Sequence, residues 1–189
     1  MNVYDFDDTI YEGESTLHLF FFYLKKKPTL LKYMPKVLKA FARYKKGLVS
    51  IDEMLTEYAP IVESMFREVV DLENDPKEFW DKHIKNIKPF YKEIQQEDDL
   101  IITASPDFSI REACKRLGIS HFLSSTYNYK TGRVERICLK QNKVKAFFEN
   151  YPDCEIENFY TDSPENDKPL MDIAKHAFIV TGDKITQVK

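Results

Sequence analysis

Directly after the apolar residues Val3-Tyr4, the chain places Asp5, Asp7, Asp8 and Thr9 within five positions. Carboxylates gathered at a strand end repel one another, so the cluster calls for a positive partner, most simply a hard cation such as Mg²⁺ with oxygen ligands. A purely structural use would be a helix N-cap, with Asp8 or Thr9 capping a helix from Ile10, but a cap needs one such residue and not several. A second acidic group, Thr161-Asp162-Ser163 through Asn166-Asp167, follows the apolar-containing stretch Cys154 to Tyr160. Between the two groups, Thr103-Ala104-Ser105 closes the apolar run Leu100-Ile101-Ile102, and Lys143 stands near the start of a helical pattern.

These groups need a scaffold that brings strand ends together, and 189 residues suffice for one domain with an elaboration or a small subdomain. A hydrophobic fraction of 43%, with 14% aromatic and 31% charged residues, is that of a globular chain with a real core. No stretch reaches eighteen consecutive apolar residues and no signal-peptide pattern opens the chain, so the cytoplasm is the expected compartment. Cys114, Cys138 and Cys154 are widely spaced and odd in number, as expected of free thiols. The net charge of −3 hides an asymmetry: residues 17–46 hold nine Lys/Arg and no Asp/Glu, while the remainder is strongly acidic.

Residues 1–6 read as the first strand, and Glu14-Ser15-Thr16 can cap a helix from Leu17. From Leu17 to about Tyr91 the signals are helical: apolar residues recur at spacings of three or four through Leu31, Met34, Leu38 and Phe41, with Pro28 able to start a helix. Ser50-Ile51-Asp52-Glu53 resembles a capping box opening a helix through Met54, Tyr58, Ile61, Met65, Phe66 and Val69. Asn74-Asp75-Pro76 starts another, which Pro89 is expected to kink or end. Beyond it, Leu100 to Thr103, His121 to Ser125, Cys154 to Tyr160, Ala177 to Thr181 and Ile185 to Val188 read as strands, with a hairpin around Lys130-Thr131-Gly132-Arg133. Helices are expected after Pro106 with Ser105 as N-cap, ending at Gly118, then from about Gln141 to Asn150 and from Pro169 to Ala174. Strands alternating with helices imply right-handed crossovers and a mostly parallel sheet whose carboxyl ends gather the acidic loops, Thr103 and Lys143.

Asp5-x-Asp7-x-Thr9 after an apolar strand resembles the first motif of the haloacid dehalogenase superfamily, mostly Mg²⁺-dependent phosphatases with an aspartate nucleophile. The other motifs of its phosphoserine-phosphatase-like branch follow in order at Thr103, Lys143 and Asp162 to Asp167, so that the resemblance spans Val3 to about Val180. It implies an α/β, Rossmann-like three-layer core (residues 1–14 and 92–189) with a small all-helical cap (residues 15–91) inserted between the first two motifs. It also implies phosphomonoester hydrolysis through an aspartyl-phosphate. Asp5 would be the nucleophile, and Asp7 the acid and base whose backbone carbonyl also meets Mg²⁺. Thr9 would order the loop, Thr103 and Ala104 would bind phosphate, and Lys143 would neutralise Asp5 and the phosphoryl group. Asp5, Asp7, Asp162 and Asp167 would form the metal site, with Asn166 the alternative to Asp167. The sequence departs from the commonest form by having Thr161 in place of glycine and four residues between Asp162 and Asp167.

Glu14 falls where phosphoserine phosphatases place a glutamate facing the substrate. Their cap arginine for the substrate carboxylate has no counterpart in the Ser50 to Ala59 helix, where Thr56 and Tyr58 stand; Arg43 or Arg67 could substitute. The expected substrate is therefore a small phosphomonoester, with a lipid or prenyl phosphate as the alternative. The basic, aromatic-rich stretch 17–46 is either a solvated lysine face or a surface for peripheral contact with an anionic membrane. Nucleic acid is not an expected partner, since the rest of the chain would repel it. A receiver domain, the non-enzymatic aspartyl-phosphate alternative, would not carry about seventy-five helical residues between its first strand and its Thr. A true dehalogenase would not need Asp7 and Asp162.

Overall fold

The computed structural model describes residues 1–69 and 71–189, and the side chains of all of these except residues 66–69. Its centre is a seven-stranded sheet in the order β4-β3-β2-β1-β5-β6-β7. The strands are β1 (Asn2–Tyr4), β2 (Leu100–Pro106), β3 (His121–Asn128), β4 (Arg133–Arg136), β5 (Asn158–Thr161), β6 (His176–Thr181) and β7 (Lys184–Gln187). The five inner strands are parallel, and β4 and β7 close the edges as antiparallel hairpin partners. β1 lies between β2 and β5, with Val3 in register with Leu100 on one side and Phe159 on the other. The direction of winding reverses at β1, which leaves a crevice at the carboxyl ends of β1, β2 and β5.

Because successive side chains of a strand point to opposite faces, the short apolar strands feed two layers at once. Tyr4 and Ile101 enter a cluster with Phe6, Phe79, Trp80, Tyr91 and Ile110, whereas Val3, Leu100, Ile102 and Phe159 pack with Phe147 and Leu170 on the other face. The first layer is built by α5 (Asp75–His83), α6 (Pro89–Ile94) and α7 (Asp107–Leu117), the second by α8 (Gln141–Asn150) and α9 (Pro164–Ile173). Trp80 joins α5 to α7 by donating from Nε1 to the Ser109 carbonyl at 2.8 Å. Gly118 ends α7 with φ 73°, the left-handed cap that only glycine adopts without steric cost.

Between β1 and α5 run α1 (Ser15–Lys26), a 3₁₀ turn (Pro28–Tyr33), α2 (Met34–Tyr44), α3 (Ile51–Glu53) and α4 (Ala59–Val69), the last two joined by a π-helical stretch, Met54–Tyr58. Ser50 caps α3 as expected, its Oγ accepting the Glu53 N–H at 3.0 Å. α1 sends Leu19, Phe22 and Tyr23 into the main cluster, but Val49, Tyr58 and Ile61 form a separate small one with Ala40 and Tyr44 of α2. The expected helix positions Phe66 and Val69, like Arg67, fall outside the described side chains.

Four boundaries differ from expectation. β1 stops at Tyr4, beyond which Asp5 keeps one backbone bond, its N–H donating to the Tyr160 carbonyl at 2.9 Å. Pro89 does not end a helix but opens α6, since a proline at the first helical position loses no hydrogen bond. β5 is shorter than Cys154 to Tyr160, spanning Asn158–Thr161. α9 begins at Pro164 and carries Pro169 inside it, so Asp167 sits on a helix and not in a loop. There the Asn166 and Asp167 N–H groups both find the Ser163 carbonyl.

Candidate active site

At the carboxyl end of β1, the buried carboxylate of Asp5 accepts a hydrogen bond from Lys143 Nζ at 2.8 Å, and the same ammonium donates to Asp167 at 2.6 Å. Lys143 is 1% exposed, so this is a desolvated ion triad rather than a surface pair. Thr161, at the end of β5, donates to the other Asp167 oxygen at 2.7 Å. Both oxygens of Asp167 are thereby engaged in holding Lys143 against Asp5. Burial acts to lower Lys143, but the charges of Asp167 and Asp5 outweigh it and hold the ammonium well above its ordinary range.

Asp7 is buried beside the start of α1. Its Oδ1 accepts the Ser15 N–H at 2.6 Å, and its Oδ2 accepts the Ser105 hydroxyl at 2.6 Å. Burial pushes the Asp7 carboxyl up, and the hydrogen bonds from Ser105 and Ser15 pull it back. Ser105 was expected to cap the helix after Pro106. Pro106 occupies that position instead, and the Ser105 hydroxyl turns to Asp7 with Thr16 and Ser15 alongside at 2.7 and 3.1 Å. Likewise Glu14 makes no cap bond to α1, whose first turn is served by Asp7.

Thr103 is buried, and its Oγ1 accepts the Ser105 N–H at 3.1 Å, which leaves its hydroxyl proton to donate elsewhere. Ala104 follows it at the mouth of the adjoining cavity. Thr9 ties the two acidic loops together: the Asp162 N–H donates to its Oγ1 at 2.9 Å, and that hydroxyl faces Asp162 Oδ1 at 3.3 Å. Asp8 takes the left-handed conformation, φ 53°, in the tight loop that Gly13 closes by donating to its carboxylate at 2.8 Å.

Sequence reasoning missed Lys45. Just past α2, its ammonium meets Asp8 at 2.7 Å, Glu14 at 2.8 Å and Asp162 at 3.1 Å. Burial acts against its charge, and its hydrogen bonds to Asp8 and Glu14 more than restore it. No spacing distinguishes it from Lys46; only its place in an acid-free segment facing an acidic core hinted at such a pairing. Neighbouring contacts seat the same turn: Asn166 donates to the Tyr44 carbonyl at 3.1 Å, and Lys140 Nζ donates to the Gly47 and Val49 carbonyls at 2.8 Å each. A Cβ on Gly47 would come within 2.7 Å of the Glu165 Cβ, so the approach requires glycine. Of the other cations in 17–46, Lys26 pairs with Asp75 and Glu78 and Arg43 with Glu53. Lys32, Lys36, Lys39 and Lys46 are exposed, together with Leu31 and Leu38.

Five carboxylates (Asp5, Asp8, Glu14, Asp162 and Asp167) thus pair with two ammonium groups, Lys45 and Lys143, while Asp7 is held by Ser15 and Ser105 and the Lys88 ammonium donates to the Asp8 carbonyl. Burial pushes Asp5 well up and raises Asp162, in each case against the pull of the adjoining lysine, and it drives Glu14 up to about 8. Among the described residues no three acidic, histidine or cysteine side chains already form a metal shell. The donor set nevertheless suits a hard cation: it is all oxygen, carries excess negative charge, and includes the Asn166 Oδ1, which is buried without a hydrogen-bond partner.

The parallel sheet thus carries, at the switch point where open α/β sheets bind ligands, an acidic crevice built around a buried Asp–Lys–Asp triad. The sequence matches the haloacid dehalogenase-like hydrolases over residues 3–172, and the chain belongs to that family. No curated protein matches it. The fold is similar to that of a protein of unknown function from Bordetella pertussis Tohama I (TM-score 0.72, 17% identity, 94% of this chain and 87% of the other). It is also similar to a phosphoserine phosphohydrolase-like protein from Francisella tularensis subsp. tularensis SCHU S4 (0.57, 19%, 94% and 86%). A phosphoserine phosphatase solved as a phospho-aspartyl intermediate analogue gives 0.56 at 16% identity, covering 93% and 83%. The chain is thus a haloacid dehalogenase-like hydrolase with the fold of the phosphoserine phosphatases. Among the described residues no helix is long and apolar enough to cross a membrane.

Proposed function

We propose that the protein hydrolyses phosphomonoesters through an aspartyl-phosphate on Asp5. The observation that carries this reading is the Lys143 ammonium, 1% exposed and fixed on Asp5 at 2.8 Å. That contact occupies Asp5 Oδ1 and leaves Oδ2 to attack phosphorus. As the new O–P bond forms, the bond to the leaving oxygen breaks, and that oxygen takes its proton from Asp7. The carboxyl form of Asp7 is favoured by burial, which suits a general acid. The resulting Asp7 carboxylate then takes a proton from water as that water attacks the aspartyl-phosphate, which releases inorganic phosphate and restores Asp5. Thr103 donates to a phosphoryl oxygen, beside the backbone at Ala104, and Lys143 balances the charge on Asp5 throughout.

Asp5, the Asp7 carbonyl, Asp162 and Asn166 would hold Mg²⁺, which when bound supplies positive charge to the phosphoryl oxygens. Asp167, whose Oδ1 accepts from Lys143 and whose Oδ2 accepts from Thr161, fixes the ammonium against Asp5 and adds its negative charge beside the same cation site. Within the expected cap of residues 15–91, α2 to α4 act as the cap beside the crevice, while α1 and α5 are anchored in the core cluster and α6 belongs to the layer packed on the sheet. The test is release of phosphate from p-nitrophenyl phosphate by the purified, Mg²⁺-loaded protein, with Asp5→Asn alongside. Turnover should depend on Mg²⁺ and vanish in the variant; full activity in Asp5→Asn would remove the nucleophile assignment, and full activity in EDTA the metal requirement.

A further inference from the structure

Beside Asp7, Glu14, Ala104 and Ser105, a cavity of about 220 Å³ runs away from the acidic crevice beneath α2. Beyond that mouth its walls are apolar, formed by Leu19, Phe20, Val37, Phe41, Ile61 and Met65 among others. α2 is amphipathic, yet none of its residues is buried. Its apolar stripe, Val37, Ala40, Phe41 and Tyr44, lines this hollow, although Ala40 and Tyr44 also pack against the small Val49, Tyr58 and Ile61 cluster. A helix that turns apolar side chains to an unfilled space leaves contact energy unrealised, and a space so lined favours hydrocarbon over polar groups.

Among the described residues, the polar groups that a zwitterionic leaving group would require are turned elsewhere. The Tyr58 hydroxyl donates to Glu53 at 3.3 Å, and Arg43 meets the same carboxylate at 2.8 Å. Thr56 is exposed and donates to the Asp52 carbonyl at 2.8 Å. Lys45, at the mouth, already serves three carboxylates.

We infer that the substrate is the phosphomonoester of an alcohol bearing an extended hydrocarbon chain, and that the chain lies in this cavity. The inference rests on the phosphomonoesterase reading above, because Asp7 stands both at the cavity mouth and where the leaving oxygen is protonated. A volume of about 220 Å³ admits an alkyl chain of several carbons. Longer chains would continue past it into solvent.

Full-length, Mg²⁺-loaded protein is assayed with ethyl, butyl, hexyl, octyl and decyl phosphate and with phosphoserine. kcat/KM should rise about fourfold per methylene while the chain still enters the cavity and level off once the cavity is filled. Ala40→Trp, which fills the cavity from α2, should lower the octyl-to-ethyl ratio at least tenfold; Val37→Phe serves if the first variant melts early. A flat series on an enzyme that turns over p-nitrophenyl phosphate overturns the inference and leaves the phosphatase reading intact, as does phosphoserine outperforming octyl phosphate. If nothing is hydrolysed, the phosphatase reading falls, and calorimetric titration with the matching alkylphosphonates still decides the cavity. Affinity that rises with chain length and is lost in Ala40→Trp supports it, and affinity independent of length overturns it.

Discussion

Replacing Lys143 by methionine keeps most of the side-chain volume and deletes the one charge shared by Asp5 and Asp167. Both carboxylates are buried, Asp5 6% and Asp167 1% exposed. Removing one partner of a buried ion pair costs about 3–5 kcal/mol. A second route gives a similar size: Asp5 can escape by taking up a proton, and holding one aspartate neutral at pH 7 costs about 4 kcal/mol, three pKa units at 1.36 kcal/mol each. For a chain of this length about 4 kcal/mol lowers Tm by roughly 8–16 °C.

The pH dependence has a definite sign. In the variant, the folded protein retains on Asp5 a proton that the unfolded chain loses above about pH 4, so its stability falls as pH rises. The gap to wild type should therefore widen from pH 5.5 to pH 7.5. Urea unfolding of metal-free protein at both values measures it, and Asp167→Asn added to Lys143→Met should recover part of the loss by removing one orphaned charge. A loss below about 1 kcal/mol at pH 7.5, or a larger loss at the acidic value, would refute the buried triad as the source of the cost.

Two further substitutions probe the carboxylates around it. Ser105→Ala removes the 2.6 Å hydrogen bond that pulls the Asp7 carboxyl down, so the limb of the kcat–pH profile that reports Asp7 should move to higher pH. An unmoved limb in a folded variant would take Ser105 out of the tuning of Asp7. Glu14 is held up to about 8 in the folded protein, so between about pH 4.5 and 8 it binds a proton that the unfolded chain has released. Metal-free wild type should therefore lose stability across that window and Glu14→Gln should lose less; parallel curves would place the effect elsewhere.

The sequence alone made several elements legible because their signals are local. A run such as Leu100-Ile101-Ile102 reads as a strand covered on both faces, and the left-handed stop at Gly118 and the Ser50 cap depend on neighbours within a few residues. Proline misled at both ends of its range. Pro89 and Pro169 were read as a stop and a start, and packing made the first a start and tolerated the second within α9. Ser105 misled for another reason: a hydroxyl beside a helix start satisfies a local rule, but a buried carboxylate 98 residues away is the stronger acceptor.

What the sequence determined by itself was the inventory: an acidic motif after a short first strand, a hydroxyl after a second, a lysine at a helix start, a second acidic group after a later strand, and their order. Their spacing implies a parallel sheet, and a parallel sheet places strand ends together. What only the tertiary structure decided was which charges meet. Lys143 and Lys140 are both lysines near one helix start, yet one is sealed between Asp5 and Asp167 and the other holds the Gly47 turn. Lys45 became part of the site, while Lys46 remained exposed. The hollow beneath α2 was equally invisible, because an amphipathic stripe reads the same in sequence whether its apolar face meets side chains or a space. Charge pairing and cavity volume depend on long-range contacts, and these exist only once the chain has folded.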